Sequence, residues 1–364
     1  MAKEIRSVAA VYFDRFNHRE IELNSPVPSN LELIVVIPSH NEPDLLGSLR
    51  SLKDAFVPIG VSVEVITVIN HGVNTDSDIV EQNEKTVVQA NQFSLKNNCE
   101  SITFKTLEVF DMPPKKAGVG LARKIGMDEA LNRFSKINKD GIIVCFDADS
   151  LCESTYFEAI LSHFKKHPKT PGCSIHFEHP LEGNNHTIEE YNAIILYELH
   201  LRYYKNAQRY TGLPFVFHTI GSSMAVRASA YAKQGGMNKR KAGEDFYFLN
   251  KIIQLGNFTE LNATTVIPSP RISDRVPFGT GKAVSEIVSA DVKSLETYNF
   301  RIFVELKAFV YEVITNNKKL NTSILSGLIN GFIKVDELGV KIDEIAKNAN
   351  SEEAFIIRFF KVFD

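Results

Sequence analysis

The sequence predicts an α/β fold: a mostly parallel sheet flanked by helices, followed by a helical C-terminal region. Three observations carry this. Short, uninterrupted apolar runs such as Leu33-Ile34-Val35-Val36-Ile37 and Ile142-Ile143-Val144-Cys145-Phe146 have the length of strands buried on both faces. Stretches with helical spacing of apolar residues separate such runs, so strand and helix alternate, as crossover-linked parallel strands require. From about Ser285 onward only the helical pattern continues.

In chain order, residues 1–30 read as an N-terminal arm, with one aromatic-rich amphipathic stretch (Val11, Tyr12, Phe16) and a turn at Ser25-Pro26-Val27-Pro28. Leu33 to Ile37 is the first strand, ended by Pro38. Asn41 is suited to cap the next helix, in which Leu45, Leu46, Leu49, Leu52 and Phe56 recur at helical spacing. The cycle then repeats, with a strand from Val61 to Ile69 and a helix from about Ser77 to Phe93. A strand from Ile102 to Val109, a helix from Gly118 to Phe134 and a fourth strand from Ile142 to Phe146 follow. Thr187-Ile188-Glu189-Glu190 reads as a capping box opening a long helix to about Arg209. Met224-Ala225-Val226 suits a short strand, and Glu244 to Leu255 a helix stopped by Gly256. Amphipathic segments near 295–315, 323–334 and 353–362 complete the chain. The expected domains are the arm over 1–30, an α/β domain over 31–283 and a helical region over 284–364.

With 364 residues, 44% of them hydrophobic, the chain is long enough for one large domain with an appendage or for two domains. A net charge of −3 and scattered basic residues argue against a nucleic-acid partner. Cys99, Cys145, Cys152 and Cys173 lack metal-ligand spacing and suit reduced, mostly buried thiols. Lys3, Glu4 and Arg6 stand where a signal peptide would have its apolar core, and no apolar stretch approaches the ~20 residues of a membrane span. A cytoplasmic protein is expected. The stripe from Phe355 to Phe363 suits core packing or a homodimer contact, with peripheral contact to the inner membrane face as the other reading.

In open parallel sheets, ligands bind beyond the carboxyl ends of the strands. After Phe146 comes Asp147-Ala148-Asp149. Two negative charges ~4 Å apart repel by about 4 kcal/mol at an effective dielectric of about 20. A shared proton, a basic side chain or a metal must offset that. Oxygen ligands at this density suit Mg2+ or Mn2+, which takes one or two carboxylates and completes its shell with phosphates and water. The same residues also fit a plainer arrangement, in which Asp149 or Ser150 caps the next helix and Asp147 is solvated.

Several segments, in order, resemble the family 2 glycosyltransferases, which have the GT-A (nucleotide-diphospho-sugar transferase) fold. Ile34-Val35-Val36-Ile37-Pro38-Ser39-His40-Asn41-Glu42 resembles that family's opening strand. Gly118-Val119-Gly120-Leu121-Ala122-Arg123-Lys124-Ile125-Gly126 resembles its GxxxARNxG segment, with Lys124 where Asn is usual. Asp147-Ala148-Asp149 resembles its DxD, and Gly221 to Arg227 with Gly235-Gly236 the stretch before its catalytic helix. Gly243-Glu244-Asp245 resembles its ED motif, and Gly256 the glycine ending that helix. These matches run from about residue 31 to 260.

The resemblance implies transfer of a hexose from a nucleoside diphosphate sugar to a hydroxyl acceptor, dependent on Mn2+ or Mg2+ and inverting. It implies that Pro38, Ser39, His40 and Glu42 face the base and ribose, and that Gly118 and Arg123 line the nucleotide sugar. Asp147 and Asp149 would serve the ribose and the metal, with Asp149 the direct ligand, and Asp245 would be the general base. Glu244 would orient it or bind acceptor. Such a base removes the acceptor hydroxyl's proton as the oxygen attacks, while the metal stabilises the departing diphosphate. The helix dipole also favours acidic residues in a first turn without any catalysis. One departure concerns the base: the family's Asp-Asp-Gly-Ser is here Asn70-His71-Gly72-Val73. The Asn70 amide can read a base edge, which leaves UDP and GDP donors both open.

The Pro- and Gly-rich run from Ser269 to Lys282 reads as a loop. Arg271, Arg275 and Lys282 suit closure over a diphosphate, or a solvated basic loop, and Asp274 is a further candidate metal ligand. Lys239-Arg240-Lys241 suits either an acidic acceptor or a solvated surface. Gly281-Lys282-Ala283 lacks the remaining residues of a P-loop, and Gly118-x-Gly120 lacks the third glycine of a dinucleotide site. Three other activities compete with inverting transfer. One is a retaining GT-A transferase of the mannosyl- or glucosylglycerate type. Another is a nucleotidyltransferase, disfavoured because Pro38-Ser39-His40 replaces a glycine-rich opening. The third is a non-catalytic sugar-nucleotide-binding protein.

Overall fold

The computed structural model describes residues 4–16, 19–273, 279–290, 295–315 and 335–362. Its strands are β1 (Leu31–Ser39), β2 (Ser62–Gly72), β3 (Ile102–Met112), β4 (Ile142–Cys145), β5 (Leu151–Cys152), β6 (Gly172–Phe177), β7 (Met224–Arg227) and β8 (Thr259–Ile267). They form one eight-stranded sheet in the order β3-β2-β1-β4-β7-β6-β8-β5. Parallel pairs join β1 to β2 and β4, β2 to β3, and β6 to β8. β7 runs antiparallel to β4 and β6, and the short β5 antiparallel to β8. The sheet is mixed and mostly parallel, as the apolar runs predict. From Leu33 to Ser39 every residue of β1 is buried, and so is all of β2.

The path of the chain sets the ligand crevice. It moves outward from β1 to β2 to β3, then returns to place β4 on the other side of β1. The switch point lies between β1 and β4, where such sheets open beyond their carboxyl ends. Helices α2 (Leu45–Asp54) and α3 (Ser77–Asn97) connect the first three strands, and α4 (Val119–Lys136) returns the chain to β4. α4 lies close on β1 and β2 because Gly126 has no side chain; a Cβ there would run into Val36 and Val68.

α4 also carries charges inward, each with a partner. Arg133 pairs with Glu64 of β2, and Lys124 with Asp128. The N-terminal arm covers them. Tyr12 of α1 (Ile5–Phe16) donates to Asp128, as does Tyr231 of α7 (Ala228–Lys233), each at 2.6 Å. Glu129 accepts the backbone N–H groups of Glu22 and Leu23. Buried charges persist only when paired in this way.

Several boundaries differ from the sequence reading. Asn41 does not cap α2; it sits at φ 49° and donates its N–H to Asn83, while Asp44 holds the N-cap position. Phe56 falls beyond α2 and is exposed. α5 (Tyr156–Lys166), β5 and β6 carry no expectation from the sequence. β5 and β6 are too short to show a period, whereas the stripe Tyr156, Phe157, Ile160 and Phe164 of α5 has helical spacing that the sequence reading missed. The Thr187–Glu190 capping box forms reciprocally, at 2.9 and 3.2 Å, at the start of α6 (Ile188–Tyr210).

By packing, the chain divides into Met1–Tyr191 with Thr219–Glu286, and Asn192–His218 with Ile287–Asp364. The first unit holds the sheet. The second contains α9 (Phe300–Thr315), α10 (Val335–Asn348) and α11 (Glu352–Val362). Its core joins Phe309, Val313, Leu338, Ile342, Phe355 and Phe359, so the C-terminal apolar stripe packs inward at Phe355 and Phe359. The expected segment at 323–334 lies outside the described residues. Among those described, no helix is long and apolar enough to cross a membrane.

Candidate functional site

The rim of the crevice is built from the ends of β1, β2 and β4. Phe146 continues β4, its N–H donating to Val36 of β1 at 3.0 Å, so the next residue, Asp147, emerges beside Pro38 and Ser39. The Asp147-Ala148-Asp149 turn closes with a Ser150 N–H to Asp147 C=O bond of 3.1 Å. Ser48 of α2 holds it from below, 2.8 Å from the Ala148 carbonyl and 2.7 Å from that of Ser150. On the β1 side, Asn70 donates to the carbonyl of Ser39 at 2.9 Å and of Val68 at 3.2 Å. Asn70 is 2% exposed, so its N–H edge braces the strand ends rather than facing the crevice. His40 Nδ1 lies 2.8 Å from the Asn70 carbonyl.

The second acidic motif reaches the same rim through β7 and α8 (Glu244–Ile253). Because β7 runs against β4 with Met224 opposite Cys145, the Gly221–Ser223 segment lies level with Asp147. Arg123 of α4 joins the two motifs. Its Nη2 donates to Asp147 at 2.5 Å and its Nη1 to Glu244. Two glycines make room for this. A Cβ on Gly221 would collide with the Arg123 guanidinium, and one on Gly120 with the backbone of Asn238 and Arg240, which lead into α8. Gly118 likewise lets Lys241 pack against the start of α4.

Electrostatics follow from this burial. Burial disfavours the Arg123 cation, but Asp147 and Glu244 outweigh it and raise its pKa. Burial pushes both the Glu244 and Asp245 carboxyls above the ordinary range, and Arg123 opposes the shift in each. Asp245 accepts its neighbour's N–H, from Phe246, at 2.8 Å.

A second guanidinium sits on the other carboxylates. Arg271, from the loop after β8, grips Glu42 with both terminal nitrogens, Nη1 at 2.9 Å. The same Nη2 lies 2.7 Å from Asp149 Oδ2. The two aspartates thus divide between two cations, Asp147 with Arg123 and Asp149 with Arg271. Their side chains remain 38% and 24% exposed. An accessible pair of hard oxygen donors, each with a cation beside it but neither fully covered, fits a divalent metal that takes its other ligands from phosphate and water. Among the described residues no group of three or more His, Cys, Asp or Glu could hold a metal by itself.

Most residues singled out in the sequence therefore gather here: Pro38, Ser39, His40, Glu42, Asn70, Asp147, Asp149, Glu244, Asp245, Arg123 and Arg271. Gly118 acts through packing. Arg275 and Asp274 lie outside the described residues. The sequence reading missed Asn83 of α3, which donates to the Asn70 carbonyl at 3.1 Å and accepts the Asn41 N–H at 2.9 Å. Its signal was a polar residue in register with the buried stripe Val87, Ala90 and Phe93 of α3. Ser48, likewise polar among Leu45, Leu49 and Leu52, was the corresponding signal in α2.

No protein-family model matches the sequence, and a search of curated proteins returns no match. Among solved structures, the chain is similar to S. aureus TarS 1-349 in complex with UDP-GlcNAc, at 12% identity over 91% of this chain and 89% of that one, with a TM-score of 0.45. It is also similar to the mannosyltransferase PcManGT from Pyrobaculum calidifontis in complex with GDP-Man and Mn2+, at 11% identity over 98% of each chain, with a TM-score of 0.41.

Proposed function

We propose that this chain is a GT-A glycosyltransferase that moves a hexose from a nucleoside diphosphate sugar to a hydroxyl acceptor, with inversion and with a divalent metal. One observation carries the reading: Asp147 at the end of β4 and Glu244 at the start of α8 share Arg123 at the sheet's switch point. Two acidic motifs 97 residues apart in sequence (147 to 244) are brought to one rim, where donor and acceptor must meet.

In this reading Asp245 is the general base. A raised pKa suits it, since a base works best when its pKa lies closer to the operating pH. Glu244, buried and paired with Arg123, orients the start of α8. His40, the one of Pro38, Ser39, His40 and Glu42 that is not buried, lines the nucleotide's side of the crevice above the other three. Arg271, whose terminal nitrogens grip Glu42, turns its remaining N–H groups to the diphosphate. Mn2+ or Mg2+, held by Asp149 with Asp147, supplies charge stabilisation for the departing diphosphate when bound. The catalytic domain spans 31–283, with the arm over 1–30 and the helical region over 284–364 as appendages. Four free cysteines suit a reducing, cytoplasmic setting.

The test is a titration of UDP- and GDP-hexoses with Mn2+, read as thermal stabilisation and as slow donor hydrolysis. Metal-dependent stabilisation by one nucleotide class together with hydrolysis is expected. Stabilisation without turnover under any acceptor supply would leave a sugar-nucleotide sensor, and a flat response in both would end the transferase reading.

A further inference from the structure

We infer that Arg271 is the resting counter-cation of Asp149, so that the divalent metal and Arg271 compete for that carboxylate and the metal enters fully only with the diphosphate. The inference rests on the proposed donor site and adds an order of events to it. Arg271 makes two kinds of contact. Its grip on Glu42 is bidentate and nearly dry, since the Glu42 side chain is only 1% exposed. Its contact with Asp149 is a single 2.7 Å ion pair to a carboxylate that is 24% exposed. The first contact is an anchor and the second is the one solvent and ligands can reach.

The chain is fastened before and after the Arg271 side chain, first by the Arg271 N–H donating to Ser269 Oγ at 3.3 Å. The Ile272 N–H donates to Glu190 at 3.1 Å, and the Ser273 N–H to the Gly281 carbonyl at 3.3 Å. Arg271 therefore arrives at Asp149 from a positioned backbone. Burial opposes its charge, but Glu42 and Asp149 outweigh that, so it stays cationic. A metal approaching Asp149 meets a place already neutralised and must displace the guanidinium. A diphosphate changes the balance. It gives the free face of Arg271 new anionic oxygens, and it gives the metal its remaining ligands. Binding of each then favours the other, and such coupling is reciprocal between the two ligands.

The experiment measures Mn2+ binding by calorimetry and by the free-Mn2+ resonance, on the full chain, with no nucleotide and then with UDP or GDP. In the unmodified protein, Mn2+ should bind at least about tenfold more tightly with the preferred diphosphate than without it. Arg271→Gln should tighten Mn2+ binding to the nucleotide-free protein by about tenfold and shrink the coupling. Because that change strands the buried Glu42, the pair Glu42→Gln/Arg271→Gln is the second arm. It should keep the gain in nucleotide-free affinity, and adding Asp149→Asn should remove it. Unchanged nucleotide-free affinity in both Arg271 variants overturns the competition. So does a gain seen in the single variant alone, which would mean that Glu42 had captured the metal. If neither UDP nor GDP binds any form, the donor-site reading fails, while the Mn2+ titrations without nucleotide still decide the competition at Asp149.

Discussion

Arg123 and Glu244 form an ion pair in which neither side chain is more than 4% exposed, and the same guanidinium reaches the partly exposed Asp147. The pair links the helix after β3 to the helix that carries Asp245. Removing one partner of such a pair leaves an uncompensated buried charge.

Arg123→Met should destabilise the protein by about 3–5 kcal/mol, because Glu244 is then buried without a cation. Arg123→Met with Glu244→Met should cost clearly less than the sum of the single changes, since both charges leave together. Chemical denaturation of the four proteins measures this. Strict additivity would show that the two side chains are not energetically coupled.

Asp245→Asn tests the base. With the donor and Mn2+ supplied, turnover should fall by roughly 10²–10⁴, the usual contribution of a positioned general base, while donor affinity stays within a few-fold. Retained turnover would instead support a retaining enzyme, which needs no base at this place.

Much of this was legible in the sequence for a physical reason. A strand buried on both faces must be continuously apolar, so β1 and β4 announced themselves, and with them the crevice and the Asp147 turn. The acidic pair at Glu244 was visible as a motif, but its meeting with Asp147 was not, because the joining residue Arg123 is 121 residues from Glu244. Asn70 was legible as a residue of the rim, yet its orientation was not: its amide N–H groups turn to the carbonyls of Ser39 and Val68. β6 stayed hidden because its six residues are too few to show a period, whereas α5 carried a helical stripe, Tyr156, Phe157, Ile160 and Phe164, that the sequence reading missed.

Asn83→Ala tests the brace that the sequence concealed. Its amide makes one bond to the Asn70 carbonyl and one to the Asn41 N–H, and both partners are held at the end of β1 or β2. Loss of the two should cost about 1–3 kcal/mol in stability, through the groups left unsatisfied. It should also weaken donor binding more than turnover, because His40 and Glu42 flank the disturbed residue. A stable variant with unchanged donor affinity would show that the rim needs no such support.

Keeping Asp245 ready as a base has a cost that depends on pH. Burial raises its pKa, the nearby Asp147 charge adds to the shift, and Arg123 works against it. Only the ionised form accepts a proton, so the acid limb of kcat/KM should lie above the ordinary aspartate pKa of about 3.9. Asp147→Asn removes a charge that disfavours ionisation, so the limb of its residual activity should move to lower pH. The stability consequence has a definite sign. A carboxyl whose pKa is raised on folding stabilises the fold below its unfolded pKa, and that contribution is lost as pH rises through the folded value. At neutral pH the ionised Asp245 therefore opposes folding, and Asp245→Asn should raise Tm there. The gain should vanish in acid, where the unmodified carboxyl is already neutral. Tm measured for both proteins from acid to neutral pH checks this, and a pH-independent difference would show that Asp245 titrates normally.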